Sequence, residues 1–169
     1  MRKILLLIII VSTILLAGCS QSDVSSTERY FSEIKLSINT QDTEKMKKLF
    51  SGEIIKSIDN FDEQLVELFQ FITGEIISYD AITSGGSSSK SWENKKVVEH
   101  IIRPRILNIE TTDTIDNDFI YTIAFCFVVE SKENNKKGLW FLEIRKYDGI
   151  IGENGTGDNY VSFEIGKAI

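Results

Sequence analysis

The spacing of apolar residues changes at Gly74, and this change limits the fold more than any other feature of the chain. Before Gly74 the apolar residues recur three and four positions apart, which is the spacing of one helix face. After Gly74 they largely alternate with polar residues, which is the pattern of half-buried strands. Helices that precede a series of strands joined by short turns are typical of an α+β domain. We therefore predict an α+β fold in which N-terminal helices pack on an antiparallel sheet.

Three helices are predicted before this change. The first begins at Thr27 and carries an apolar residue at every fourth position. The second is shorter and has Asp42 as its N-cap. The third begins after Asn60, whose spacing to Glu63 resembles a capping box. The apolar residues at 54–58 do not identify the type of element that they form.

Five strands are predicted after the change, and they cover residues 77–82, 95–110, 119–130, 139–147 and 160–165. The second strand is expected to be bent at Pro104, because proline has no amide hydrogen to donate to a neighbouring strand. The third strand is expected to be central in the sheet, since both of its faces are apolar. Loops or turns are predicted between strands at residues 84–89, 131–138 and 152–159.

The N-terminus has the layout of an export signal. Two basic residues precede an apolar stretch at 4–17, which is shorter than the roughly 20 residues of a membrane-spanning helix. The stretch ends in Leu16-Ala17-Gly18-Cys19, which resembles the lipobox of bacterial lipoproteins. The resemblance implies cleavage between Gly18 and Cys19 and attachment of lipid to the Cys19 thiol. A plain secretion signal with a chance cysteine, or an uncleaved anchor helix, would also contain such a stretch.

This interpretation divides the chain into a signal peptide at 1–18, a lipidated tether at 19–26 and one domain at 27–169. A lipoprotein cysteine carries more than one acyl chain, and two chains are enough for stable anchoring. We therefore expect the protein to be held at the outer face of the cell membrane through lipid on Cys19. The chain has 26 isoleucines and only four alanines, a usage typical of AT-rich genomes such as those of low-GC Gram-positive bacteria.

The composition argues against a nucleic-acid partner. Without residues 1–18 the chain has 17 basic and 25 acidic residues, which gives a net charge of −8. No basic patch is evident in the sequence, so neither nucleic acid nor anionic lipid headgroups are expected to bind. The attached lipid itself would then supply the membrane attachment.

No cofactor, metal site or disulfide is predicted. Cys126 lies between two phenylalanines in an apolar run, which is typical of a small buried side chain rather than a nucleophile. No Cys/His spacing indicates zinc. The glycine-rich stretch at 152–159 lacks the Lys-Ser/Thr pair of a phosphate loop and the register of a calcium loop, and we interpret it as a turn.

Two parts of the chain resemble a known fold family. The segments at 30–34 and 39–51 resemble the opening helix pair of the nuclear-transport-factor-two-like superfamily, in which the second helix ends in Leu-Phe-Ser. The segment at 138–144 resembles its long late strand. The resemblance covers roughly residues 27–166 and implies a cystatin-like cone, in which the sheet is curved around the helices. More narrowly, the lipobox followed by this arrangement is similar to an uncharacterised lipoprotein family of Gram-positive bacteria.

The resemblance leaves the activity open, because this superfamily includes isomerases, dehydratases, hydrolases and binding modules. Enzymes of this family commonly use an Asp–His or Tyr–Asp pair inside the cone. Here the sole histidine, His100, has no evident partner and is expected to be a surface or structural residue. No catalytic residue is assigned. A pocket could be lined by Tyr79, Asp80, Trp92, His100, Arg103 and Trp140.

We therefore expect a non-enzymatic binding or interaction module. Its partner would be an envelope protein, a peptide or a small apolar ligand. The alternative is a small extracytoplasmic enzyme that uses the cone pocket. An inward-pointing Asp80 or His100 in an open cone would favour ligand binding or catalysis, whereas a filled cone would favour a structural or interaction role.

Overall fold

The computed structural model describes residues 21–80, 87–114, 119–148, 160–167 and 169, and in these residues helices precede a seven-stranded antiparallel sheet. The helices are α1 (Gln21–Thr40), α2 (Thr43–Leu49), α3 (Gly52–Ser57) and α4 (Phe61–Phe71). The strands are β1 (Ile76–Ser78), β2 (Ser88–Glu93), β3 (Lys96–Ile102), β4 (Arg105–Thr111), β5 (Phe119–Ser131), β6 (Gly138–Asp148) and β7 (Tyr160–Gly166). A short 3₁₀ helix, Asn134–Lys136, joins β5 to β6. The predicted α+β class is confirmed.

Strand β5 is the centre of the sheet, as predicted from its apolar faces. Strands β3 and β4 both pair with one of its edges, β6 pairs with the other edge, and β7 pairs with β6. Strand β2 extends the sheet beyond β3, and β1 extends it beyond β4. Every one of these pairings is antiparallel, and four of the six join strands that follow each other in the chain.

The predicted long strand at 95–110 is divided in two at Pro104. Ile102 pairs with Phe127 and Arg105 pairs with Ala124, so β3 and β4 continue along β5 in one register. The carbonyl oxygen of Pro104 accepts a hydrogen bond of 3.2 Å from the amide of Phe125. The ladder toward β5 therefore continues past the proline, which has no amide hydrogen of its own to donate.

The hydrophobic core lies between the helices and the sheet. Helix α1 buries Phe31 and Ile34, α4 buries Leu65 and Leu68, and β5 supplies more buried core residues than any other strand. Cys126 on β5 is 3 % exposed, which confirms its predicted burial. Burial also raises the pKa of this thiol, and the nearby Arg103 charge opposes the effect.

Helix α1 begins earlier than predicted. Residues 21–26 were expected to belong to a tether, but they form the first turns of a helix that begins at Gln21. Asp23 lies in the first turn, where a negative charge favours the helix dipole, and its carboxylate contacts the sheet. A polar segment with no apolar periodicity is therefore ordered by contacts that local sequence does not reveal.

Three further local predictions need correction. The loop expected at 84–89 gives way to strand β2 at Ser88, a strand without apolar alternation because it is an exposed edge. The first strand is Ile76–Ser78, one residue earlier at its start and shorter than predicted. Asn60 is the N-cap of α4, but its side chain accepts a hydrogen bond from the Gln64 side chain instead of forming a capping box.

The predicted signal peptide at 1–18, Cys19, and the turn at 152–159 lie outside the described residues. Among the helices that the structure describes, none is long and apolar enough to cross a membrane.

Candidate functional site

The six residues predicted to line a pocket lie in separate parts of the sheet. Within the described residues, no hydrogen bond, ion pair or ring contact joins any two of the six. Two residues follow β1, one lies on β2, two lie on or just after β3, and one lies on β6. These six are, in that order, Tyr79, Asp80, Trp92, His100, Arg103 and Trp140.

The residues near β1 and β2 are on the surface. The ring of Tyr79 packs edge-on against Phe31, with ring centroids 4.8 Å apart, and Tyr79 remains 41 % exposed. Asp80 accepts a hydrogen bond of 2.5 Å from the side chain of Asn108. Trp92 is 61 % exposed on the edge strand β2. None of these three positions has the enclosed surroundings that a small-molecule pocket requires.

Arg103 and Trp140 make structural contacts with the main chain. The guanidinium of Arg103 donates from Nε and Nη2 to the main-chain oxygen of Ile169, at 2.8 and 2.6 Å. The indole Nε1 of Trp140 donates to the carbonyl oxygen of Lys136 at 2.6 Å. Both side chains therefore fix neighbouring segments to the sheet.

His100 has partners that the sequence did not reveal. It is 7 % exposed, and its Nε2 lies 3.3 Å from Oδ1 of Asp23 and 3.3 Å from Oγ of Ser88. Ser88 Oγ also donates to Asp23 Oδ2 at 3.1 Å, and Lys90 Nζ lies 3.7 Å from Asp23 Oδ1. We call Asp23, Ser88, Lys90 and His100 the latch, because together they hold the start of α1 against strands β2 and β3.

The latch has the composition of a Ser-His-Asp triad but not its geometry. In such a triad the carboxylate and the hydroxyl contact opposite nitrogens of the imidazole, so that one nitrogen can accept the hydroxyl proton. Here Asp23 and Ser88 both contact Nε2. The carboxylate of Asp23 therefore contacts the same nitrogen that would have to accept the Ser88 proton, and the Ser88 hydroxyl already donates to Asp23. His100 is therefore arranged to hold Asp23 rather than to activate Ser88.

A cleft of about 400 Å³ opens further along α1. Three segments supply its lining: α1, the end of α2 and the start of β6. The lining residues are Arg29, Tyr30, Glu33, Lys48, Leu49, Lys137 and Gly138. We call this feature the basic cleft, since three of its seven lining residues are cations and one is an anion.

Gly138 makes the basic cleft possible. Its φ is +117°, and a Cβ at this position would lie 2.7 Å from the carbonyl oxygen of Leu49 and 2.9 Å from the amide of Ser51. The absence of a side chain lets the end of α2 approach β6, where the Ser51 amide donates to the carbonyl oxygen of Leu139 at 2.8 Å. The close approach brings Lys48 and Lys137 to the same cleft.

The cations of the basic cleft differ from the lysines beside them. Lys47 pairs with Asp62 at 2.6 Å, and Lys136 pairs with Glu133 at 3.0 Å, which raises the pKa of Lys136. Among the ion pairs of the described residues, none includes Arg29, Lys48, Lys137 or the cleft anion Glu33. Three cations that form no ion pair within the described residues therefore meet at one cleft, a local grouping that the net charge of this acidic protein does not reveal.

Tyr30 forms the half-buried wall of the basic cleft. Its ring lies 4.2 Å from the ring of Phe127 on β5, and the Arg29 guanidinium lies 5.5 Å from its centroid. Burial raises the pKa of Tyr30, while the charge of Arg29 acts in the opposite direction. The phenol therefore stays protonated at neutral pH and provides a hydroxyl that can donate and accept hydrogen bonds.

Residues 34–150 match the family described as "Domain of unknown function (DUF5104)". The chain belongs to this family. The matched stretch begins within α1 and ends just after β6, so it contains Lys48, Lys137 and His100, while Asp23 and Arg29 precede it. No curated protein matches the chain.

A second depression, of about 340 Å³, lies between α2 and the start of α4. Three of its lining residues are acidic, and Asp62 is neutralised by Lys47. Within the described residues, no group of three or more His, Cys, Asp or Glu side chains is arranged to hold a metal ion. The basic cleft is therefore the more informative feature, because none of its cations forms an ion pair within the described residues.

Sequence reasoning missed the basic cleft for a physical reason. The only local signals are Arg29 and Glu33 one helical turn apart, and lysines at the end of α2 and before β6. The last two groups are almost 90 residues apart in the chain. They are brought together by the bridge between Phe50 and Leu139 and by the close approach of Gly138 to Leu49.

Proposed function

We propose that the protein is a lipid-anchored extracytoplasmic binding module. In this proposal Cys19 is lipidated after cleavage at Gly18, and the domain remains at the outer face of the cell membrane. The domain would bind a ligand or partner in the basic cleft and would not act as an enzyme. The observation that carries the binding role is the convergence of Arg29, Lys48 and Lys137 without carboxylate partners.

The unpaired charges favour recognition over stability. Exposed ion pairs contribute little to stability, and cations brought close together repel each other. An acidic protein that nevertheless gathers three cations and only one carboxylate around one cleft gains little stability from this arrangement. A bound anion would remove the repulsion and would be held by charge-assisted hydrogen bonds.

The anchor is supported by the export signal and by the position of α1. The helix begins only two residues after Cys19, and Asp23 holds its first turn to the sheet. A lipid on Cys19 would therefore be attached close to the folded domain instead of at the end of a long tether. We also propose the nuclear-transport-factor-two-like cone for the fold, on the basis of helices that precede a sheet centred on the long strands β5 and β6.

An enzymatic role would most simply use His100, and the latch geometry speaks against it. The imidazole is 7 % exposed, and its Nε2 contacts both Asp23 and Ser88. A general base needs a free nitrogen within hydrogen-bond reach of its substrate. The binding module is therefore our first proposal.

Replacement of Cys19 tests the anchor. In Cys19→Ser the precursor is expected to remain unlipidated and uncleaved, because the serine hydroxyl is a poor nucleophile compared with the thiol. Intact-mass measurement of the membrane fraction distinguishes the forms. Cys126→Ser is the matched control, and it is expected to leave processing unchanged because Cys126 lies in the core. A mature wild-type chain without lipid on Cys19 would overturn the anchor.

Replacement of His100 tests the enzymatic alternative. If His100 serves only the latch, His100→Gln expressed at normal level should fully restore any phenotype of a deletion strain. If it were the general base, the rate would fall by about 10²–10⁴. A variant that is folded and membrane-bound but fails to restore the phenotype would overturn the non-enzymatic proposal.

A further inference from the structure

The chemical groups of the basic cleft limit what it would bind. Arg29 presents a planar set of N–H donors that matches two oxygens of one phosphate, and Lys48 and Lys137 add compact positive charges. Tyr30 and Glu33 add groups that hydrogen-bond to hydroxyls. From this combination we infer that the cleft binds a phosphorylated polyol of the glycerol-phosphate type. The inference rests on the proposed binding function and adds the chemical class of the ligand.

Glu33 would make the cleft selective for a phosphorylated polyol over a simple anion such as inorganic phosphate. It lies one helical turn after Arg29, and its carboxylate can only accept hydrogen bonds at neutral pH. An inorganic phosphate in the cleft would be repelled by this carboxylate. A ligand with hydroxyls beside its phosphate would donate a hydrogen bond to Glu33 while the cations hold the phosphate.

Tyr30 supports the same assignment from the wall of the cleft. Its ring is fixed against Phe127, so the position of the phenol oxygen is set by core packing rather than by a flexible side chain. A protonated phenol donates to a phosphate oxygen without adding charge. The cleft would thus offer a phosphate four donor side chains and would offer a neighbouring hydroxyl one carboxylate acceptor.

The size and place of the cleft suit such a ligand. A volume of about 400 Å³ lies within the range of small-molecule sites. At 1.5 Å per residue, Arg29 lies about 12 Å along α1 from Gln21, the first residue of the helix. With Cys19 anchored just before α1, the cleft would lie near lipid headgroups, some of which carry glycerol phosphate. Soluble or polymer-borne glycerol phosphate presents the same chemistry.

Titration of the full chain, extracted in an uncharged detergent, tests the ligand class. The probes are glycerol 1-phosphate, inorganic phosphate and glycerol, with binding measured by calorimetry. Glycerol 1-phosphate is expected to bind most tightly of the three. Lys48→Gln and Lys137→Gln are each expected to weaken it about tenfold, through loss of a charge-assisted contact. Absence of glycerol 1-phosphate binding would overturn the inference.

The neighbouring lysines provide matched controls for charge. Lys47→Gln and Lys136→Gln remove the same charge outside the cleft lining and are expected to leave the affinity within twofold. If these controls lost as much affinity for glycerol 1-phosphate as the cleft variants, the effect would come from net charge, and the cleft would be overturned as the binding site. Glu33→Gln is expected to reduce the preference for glycerol 1-phosphate over inorganic phosphate. An unchanged preference would overturn the role of the polyol hydroxyls.

Competition with lipid vesicles identifies the source of the ligand. Phosphatidylglycerol vesicles that displace bound glycerol 1-phosphate, where phosphatidylcholine vesicles do not, would support a lipid headgroup. If neither kind of vesicle displaces bound glycerol 1-phosphate, a soluble or polymer-borne glycerol phosphate is supported.

If the intact mass shows lipid on Cys19 but no probe binds the protein, the ligand inference fails and the proposed lipid anchor stands. If glycerol 1-phosphate binds a chain without lipid, the anchor alone fails.

Discussion

Helix α1 carries two groups of polar residues that differ in how their charges are satisfied. Near its start, Asp23 contacts Ser88, Lys90 and His100 in the latch. Two turns later, Arg29 enters the basic cleft, where no described carboxylate pairs with it. In the latch, His100 is buried, Asp23 and Lys90 are half-buried and Ser88 is exposed, whereas all three cations of the cleft are exposed.

The difference distinguishes a structural polar cluster from a recognition site. Polar groups that leave water must find partners, or folding loses several kcal/mol. The latch meets this requirement with hydrogen bonds and ion pairs inside the chain. The cleft cations are exposed and form no ion pair within the described residues, and they are therefore available to an anionic ligand. The sole histidine drew attention to the latch, but unusual residue type alone does not identify a site.

The largest expected effect is at Gly138, on which the shape of the basic cleft depends. Gly138→Ala would place a methyl group 2.7 Å from a carbonyl oxygen on a backbone with φ of +117°. We expect the free energy of unfolding to fall by about 2–4 kcal/mol. Chemical denaturation measures this change.

Gly52→Ala is the matched control for this substitution. It lies in α3, and its nearest neighbour would be 3.8 Å from the added methyl. Its unfolding free energy should stay the same or rise by up to about 1 kcal/mol, since alanine favours helices. Similar losses of unfolding free energy in Gly138→Ala and Gly52→Ala would contradict the close approach of Gly138 to the end of α2.

The parts of the fold that sequence predicts are those fixed by local periodicity. The apolar faces of β5 identified a central strand, and Pro104 predicted a bend at the place where the structure divides the expected strand into β3 and β4. The edge strand β2 has no apolar alternation to detect, and the early start of α1 depends on contacts of Asp23 with residues more than 60 positions away. The latch and the basic cleft both depend on such long-range contacts, which the periodicity of the sequence does not reveal.

A double-mutant cycle on Asp23 and His100 measures the strength of the latch. Each single change, Asp23→Asn or His100→Gln, is expected to reduce the unfolding free energy by about 1–2 kcal/mol, because a partly buried charged contact is weakened. The coupling between them should be about 0.5–1.5 kcal/mol. The exposed pair Glu93 and Lys132 serves as control, with coupling near zero. A coupling near zero for Asp23 and His100 would show that the latch does not hold α1.

Alkaline pH provides a smaller test of the basic cleft. The raised pKa of Tyr30 means that the folded state holds this proton more tightly than the unfolded state, whose tyrosines titrate near pH 10. The contribution of protonated Tyr30 to the free energy of unfolding is therefore fully present below pH 10. It is lost as the pH rises through the folded-state pKa. The wild type should lose more stability between pH 9 and 11 than Tyr30→Phe. Tyr160→Phe, at an exposed position, should behave as the wild type. Equal losses in the wild type and Tyr30→Phe would contradict the burial of this wall.

The smallest expected effect is on the stability of variants that remove a cleft charge. Lys48→Gln should change the unfolding free energy by no more than about 0.5 kcal/mol, with a slight gain at low salt, because it removes repulsion and breaks no ion pair. Lys47→Gln should lose a few tenths of a kcal/mol, since it breaks an exposed pair with Asp62. Urea denaturation at low and high salt measures both, and salt should reduce the difference. If Lys48→Gln were the more destabilising of the two, Lys48 would support the fold, and the contrast between a satisfied latch and an unsatisfied cleft would fail.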